Sequence, residues 1–201
     1  KSFDEKLQLL LSVNYQSENN NLMTTDLTNQ SLVESPDAPE LYTNGVLNWG
    51  PSQFFNNPYA NLLKKYNVST NNFRANWQIG YTILPGLTAK ANLGYTQMQT
   101  DSYSRTPIAS INPRLGVTTG TANFGLGNNT TWIVEPQIEY RKNLKENAFT
   151  FLVGTTFQQS DRNSSTMRGT GYVNDQLLDN LQAAPTITVL ETSNTQYKYQ
   201  A

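Results

Sequence analysis

The chain has 201 residues, 37% of them hydrophobic and 14% charged, and a net charge of −1. So little positive charge argues against a protein that tracks nucleic-acid phosphates. The absence of Cys and His excludes disulfides and thiolate metal sites, and removes the commonest general base and metal ligand.

The opening residues, Lys1 to Glu5, lack the apolar stretch of a signal peptide. Glu5 to Gln16 reads as a strand, with Leu7, Leu9, Leu11, Val13 and Tyr15 in one row and Leu10 the single exception on the other. Residues 18–71 hold no sustained period. Pro36-Asp37-Ala38-Pro39, Asn44-Gly45 and Asn56-Asn57-Pro58 mark them as a long loop, with a short helical turn expected over Tyr59 to Tyr66. Asn71 to Gln97 is the clearest element. Phe73, Ala75, Trp77, Ile79, Tyr81 and Ile83 alternate with polar residues, Pro85-Gly86 supplies a tight turn, and Leu87, Ala89, Ala91, Leu93 and Tyr95 continue the apolar row.

Residues 98–129 read as a second long loop, rich in Gly and Pro. Thr130 to Arg141 is a strand, and Pro136 within it predicts a bulge or an edge position. A short turn over Lys142 to Asn147 leads into a strand from Ala148 to Gln159, with Phe149, Phe151, Val153 and Phe157 on one side. A third loop covers about 160–192, and a short helix is expected over Asn174 to Ala183. Gln196 to Ala201 reopens a strand pattern, so the expectation is a piece cut from a longer protein.

Long loops thus alternate with short turns between long strands, the layout of an outer-membrane barrel. No run of 18 apolar residues encodes a transmembrane helix, but barrel strands hide their apolar residues by alternation. A strand of about 11 residues, tilted near 45°, spans about 26 Å of hydrocarbon. Trp77, Tyr81, Tyr95, Trp132 and Tyr140 suit the membrane interface. Arg74, Asn76, Gln78, Lys90, Asn92, Glu135 and Glu139 suit a wet lumen. The expected fold is therefore all-β, an antiparallel long-stranded meander with at most short helices.

Several stretches together carry a resemblance. They are Pro36 to Tyr42 with Asn44 to Trp49, Asn57 to Ala60, Leu62 to Tyr66, Gly80 to Leu87 with Asn92 to Tyr95, Asn129 to Tyr140, Val153 to Gln159 and Ser193 to Tyr199. In these the chain resembles the SusC/RagA family of TonB-dependent outer-membrane transporters of Bacteroidetes. The resemblance implies residues 1–201 of a barrel of about 22 strands, without its plug and without barrel closure. It further implies import of oligosaccharides or peptides, a SusD-like surface lipoprotein as partner, TonB engaged through a part not contained here, and residence in lipid of the bacterial outer membrane.

Loop aromatics Tyr42, Trp49, Phe54, Phe55 and Tyr59 are candidates for stacking on a ligand; packing within the loop is the blander reading. Glu135 and Glu139 are about 13 Å apart along a strand, too far for a glycosidase pair at roughly 5–9.5 Å. Asp175 and Asp179 read as a solvated helix face. Asp161-x-Asn163-x-Ser165 begins like a calcium loop, but Thr166 and Tyr172 replace the required Gly and Glu, which leaves only a looser surface-loop site. The glycines of 116–127 lack a phosphate-loop Lys, and no serine has a histidine partner. The expectation is no enzyme, no cofactor and no metal. The alternative is a soluble secreted β-sandwich that binds carbohydrate or protein, with the Phe73–Tyr81 row buried against a second sheet.

Overall fold

The computed structural model describes residues 6–50, 57–144 and 147–201. Its elements are β1 (Leu7–Met23), α1 (Thr28–Val33), β2 (Tyr42–Thr43), β3 (Val46–Leu47), β4 (Lys65–Leu84), β5 (Leu87–Thr106), β6 (Gly120–Leu144), β7 (Asn147–Gly154), β8 (Phe157–Tyr172) and β9 (Thr186–Gln200). The long strands form one antiparallel sheet in the order β1-β4-β5-β6-β8-β9, with β7 also paired to β6. β2 and β3 make a separate small hairpin in the first loop. The all-β meander expected from the alternation is therefore the fold.

The tight turns lie at one end of the sheet and the long loops at the other. Leu84 pairs with Leu87 across Pro85-Gly86, and Leu144 with Asn147. Gly86 has φ +88, and a Cβ there would strike the backbone carbonyl of Arg141. Glycine is thus required both by the turn and by this close approach. Its own carbonyl accepts a hydrogen bond from Arg141 N at 2.7 Å. The expected break at Pro136 is a local gap between two strands, β7 and β8. Val134 pairs with Phe157 and Gln137 with Gly154, so pairing resumes without a change of register. Thr155 N still donates to Pro136 O at 3.1 Å.

Three loops are shorter than expected because the strands run on. β1 continues to Met23 and β4 starts at Lys65, so the first loop is not 18–71. β5 reaches Thr106 and β6 starts at Gly120, which shortens the loop expected over 98–129. β8 reaches Tyr172 and β9 starts at Thr186, which shortens the one over 160–192. In these outer halves both faces are mostly polar or glycine, with Ala122, Phe124 and Leu126 of β6 the main exception, so little apolar–polar contrast marks the strands. The helix expected over Asn174 to Ala183 is two 3-10 turns, Asp175–Leu177 and Leu181–Ala183. Asn174 and Asn180 cap one each by accepting from Gln176 N and Gln182 N, so the second Asn restarts the chain where a single helix would continue. The turn expected over Tyr59 to Tyr66 is a 3-10 helix, Pro58–Leu63, capped by Asn57; Tyr66 already belongs to β4.

The sheet is a single layer. Among the described residues no second sheet covers the apolar row, and Trp77, Tyr81, Phe149 and Phe151 are exposed. The described residues form no β-sandwich core. Among the described residues, the buried apolar cluster lies at the loop end, where Ala122, Tyr172, Leu178 and Ala184 pack with Tyr103, Phe124 and Ala183. The 173–185 loop hooks back onto the sheet at this point. Gly169 makes the room, since a Cβ there would meet Tyr172 Oη and lie 2.9 Å from Ala184 Cβ.

Candidate functional site: a two-faced wall

Because paired residues share a face, the register assigns every side chain to one side. The first face carries Leu7, Tyr81, Ala89, Ile138 and Val153 in one cross-strand row, then Leu9, Ile79, Ala91 and Pro136 in the next. Leu11, Trp77, Leu93, Val134 and Phe157 form a third row. Aromatic residues limit this belt on both sides. Tyr15 and Phe73, and Tyr95 and Trp132, are cross-strand pairs on the loop side; Tyr140 and Phe151 pair on the turn side. The Phe73 and Tyr95 rings lie 6.3 Å apart. Trp132 to Tyr140 covers about 27 Å of strand, or about 20 Å at a tilt near 40°, close to the ~25 Å band of outer-membrane barrels.

The opposite face collects all seven residues expected to line a lumen. Gln78, Asn92 and Glu135 form one row, and Arg74, Asn76, Lys90 and Glu139 lie on the same side. Glu139 is the centre of a charge cluster. Its Oε2 accepts from Lys90 Nζ at 2.8 Å, its Oε1 lies 2.6 Å from Arg141 Nε, and its side chain is only 12% exposed. Arg141 lies two residues beyond Glu139 on β6, so strand parity puts it on the same polar face. A groove of about 580 Å³ runs along this face past Gln78, Lys90, Asn92, Glu139 and Arg141. Glu135 meets Thr156 Oγ1 at 3.5 Å and takes no part in the cluster.

The loop aromatics separate. Tyr42 and Tyr59 lie against each other with ring centroids 5.6 Å apart, and both are exposed. Trp49 is half-buried, and its carbonyl accepts from Arg114 Nη1 at 3.0 Å. Phe54 and Phe55 lie outside the described residues. Asn57, fully buried, donates to Leu41 O at 2.6 Å and Asn48 O at 2.8 Å, so it locks the first loop.

The two acids read as a solvated helix face instead fasten loops. Asp175 accepts from Ile108 N at 2.6 Å and Ala109 N at 3.1 Å. Asp179 accepts from Tyr103 Oη at 2.6 Å and Arg105 Nη1 at 3.1 Å. No sequence signal marks them, since both partners are more than 60 residues away. Asp161, Asn163 and Ser165 sit in β8, not in a loop. Asp161 accepts from Gln159 and Gln196 at 2.7 Å each, which replaces the surface-loop calcium reading. In the first loop, Asp26 Oδ1 accepts from Thr28 N at 2.9 Å and Thr28 Oγ1 at 2.7 Å, and these bonds hold its carboxyl below the usual carboxylate range.

No family model and no curated protein sequence matches the chain. Solved structures do. The structure of the RagAB peptide transporter aligns with a TM-score of 0.71 at 15% identity, over 98% of this chain and 24% of that one. The RagAB peptide importer in its closed-closed state gives 0.71 at 17%, over 100% and 24%. Its open-open state gives 0.64 at 16%, over 96% and 22%. The chain therefore has the fold of a section of these proteins and spans about a quarter of their length.

Proposed function

We propose that the chain is a stretch of barrel wall in an outer-membrane transporter, with its apolar belt toward lipid and its polar face toward an aqueous path. The observation that carries this is the pairing register. It gathers most exposed apolar side chains of β1 and β4 to β7 into one aromatic-limited belt, Leu10, Leu22 and Leu152 excepted, and puts Lys90, Glu139 and Arg141 on the other side. In water such a belt would be a large apolar patch of the kind that marks an interaction surface. The likeness to the RagAB structures supports peptide as the cargo class. The resemblance to the SusC/RagA family supports peptide or oligosaccharide, with a surface lipoprotein and TonB as partners of the whole protein. On this reading the chain has no catalytic role; it shapes a passage and anchors the exterior loops.

The test uses spin labels on Ile79→Cys and Gln78→Cys in the full-length protein in lipid vesicles. Adjacent strand residues face opposite ways. The Ile79 label should relax with dissolved oxygen, which concentrates in lipid, and the Gln78 label with a water-soluble nickel complex. Nickel access at both positions overturns the reading.

A further inference from the structure

Above the belt, the same outer face holds a cross-strand row of amides. Gln99 pairs with Asn128, Asn128 with Asn163, and Asn163 with Asn194, so four successive strands each present one carboxamide at one level. The row lies four residues beyond the Tyr95–Trp132 pair, about 13 Å further along the strands. On its far side the hooked loop raises the Tyr103–Phe124 cluster. Between these borders runs a groove of about 520 Å³, floored at Gly127. Its lining contains no Lys or Arg and a single acid, Asp101. Gln99, Asn163 and Asn194 are exposed and make no side-chain hydrogen bond, and Asn128 Oδ1 is buried without a partner.

We propose that this groove binds the sugar headgroup of a glycolipid whose acyl chains lie against the belt below it. Each carboxamide offers a donor pair and an acceptor, the complement of vicinal hydroxyls. The lack of cations disfavours a bare phosphate, which Arg and Lys would hold. The volume lies within the roughly 300–1,000 Å³ of small-molecule sites. The row shares the face of the belt and not that of Lys90 and Glu139, so its occupant approaches from outside the wall and is not cargo in transit. A glycolipid meets both surfaces at once: its chains take the apolar side chains below the aromatic border and its hydroxyls take the amides above it. The inference rests on the outward orientation of the belt.

The test is glycolipid retention by the full-length protein extracted in mild detergent and washed, with native mass spectrometry as the readout. Gln99→Ala and Asn163→Ala alter exposed side chains and leave the ladder backbone intact. Together they should lower retained glycolipid about tenfold, as expected for the loss of two neutral hydrogen-bonding groups, with no change in retained phosphatidylethanolamine. Unchanged glycolipid retention overturns the proposal. So does equal binding of the free headgroup oligosaccharide without its acyl chains, which would make the groove a soluble-sugar site. If the Ile79 label still reports lipid while retention is unaffected, only this inference fails and the wall reading stands.

Discussion

Ala91 gives the sharpest test of which solvent each face meets. It pairs with Ile79 on one side and Pro136 on the other, and Pro136 lies midway between Trp132 and Tyr140, so Ala91 is at mid-belt. Its methyl group contributes little packing, so Ala91→Arg isolates the cost of a charge. At the midplane of a barrel's lipid face that cost is about 2–4 kcal/mol, or about 30- to 900-fold in the folding equilibrium. Asn92 is the next residue, on the polar face opposite Gln78 and Glu135. Asn92→Arg places the same charge at the same height and should stay within about 0.5 kcal/mol. The assay is reversible denaturant unfolding of the full-length protein in phospholipid vesicles. Equal destabilisation by the two variants, or a larger effect at Asn92, refutes the assignment of faces.

Leu178 is fully buried at the centre of the loop-end cluster. Leu178→Ala should weaken docking of the 173–185 loop by about 2–5 kcal/mol, seen as faster protease cleavage within the loop while the strands stay protected. Asp175→Ala removes the acceptor for two backbone N–H groups of the 107–119 loop and should speed amide exchange at Ile108 and Ala109, whereas Asp175→Asn, which keeps one acceptor oxygen, should do so less. The carboxyl of Asp26 titrates below its unfolded value, so its support for the start of α1 is complete above the unfolded pKa of about 3.9 and is lost as pH falls through the folded one. Exchange at Thr28 N should rise in acid, and Asp26→Asn should abolish that pH dependence.

The central hairpin was legible because its two faces differ in composition. Phe73, Trp77 and Tyr81 against Arg74, Gln78 and Thr82 give a period of two that needs no partner strand to recognise. Pro85-Gly86 fixed the turn by local chemistry alone. The charge cluster was half legible: Lys90 and Glu139 fall on one face by parity, but the register that sets them 2.8 Å apart depends on pairing across the sheet. Asp175, Asp179 and the Gln99–Asn128–Asn163–Asn194 row were illegible, because each feature is assembled from residues on separate strands or loops with nothing distinctive around them.

The misplaced strand ends carry information of their own. Alternation ran out at Gln16, Asn71, Gln97, Thr130 and Gln159, yet each of the strands β1, β4, β5, β6 and β8 continues past that point. These five positions are not scattered over the sheet. Gln16 pairs with Asn72, Asn71 with Gln99, Gln97 with Thr130, and Gln159 with Trp132, so they trace one contour at or just beyond the aromatic border. Alternation appears only where the two faces meet different solvents. The contrast fades at this level on β1, β4, β5 and β8, whereas β6 keeps Ala122, Phe124 and Leu126 on one face where the 173–185 loop docks. On the proposed wall reading, this contour is the outer limit of the lipid-facing belt.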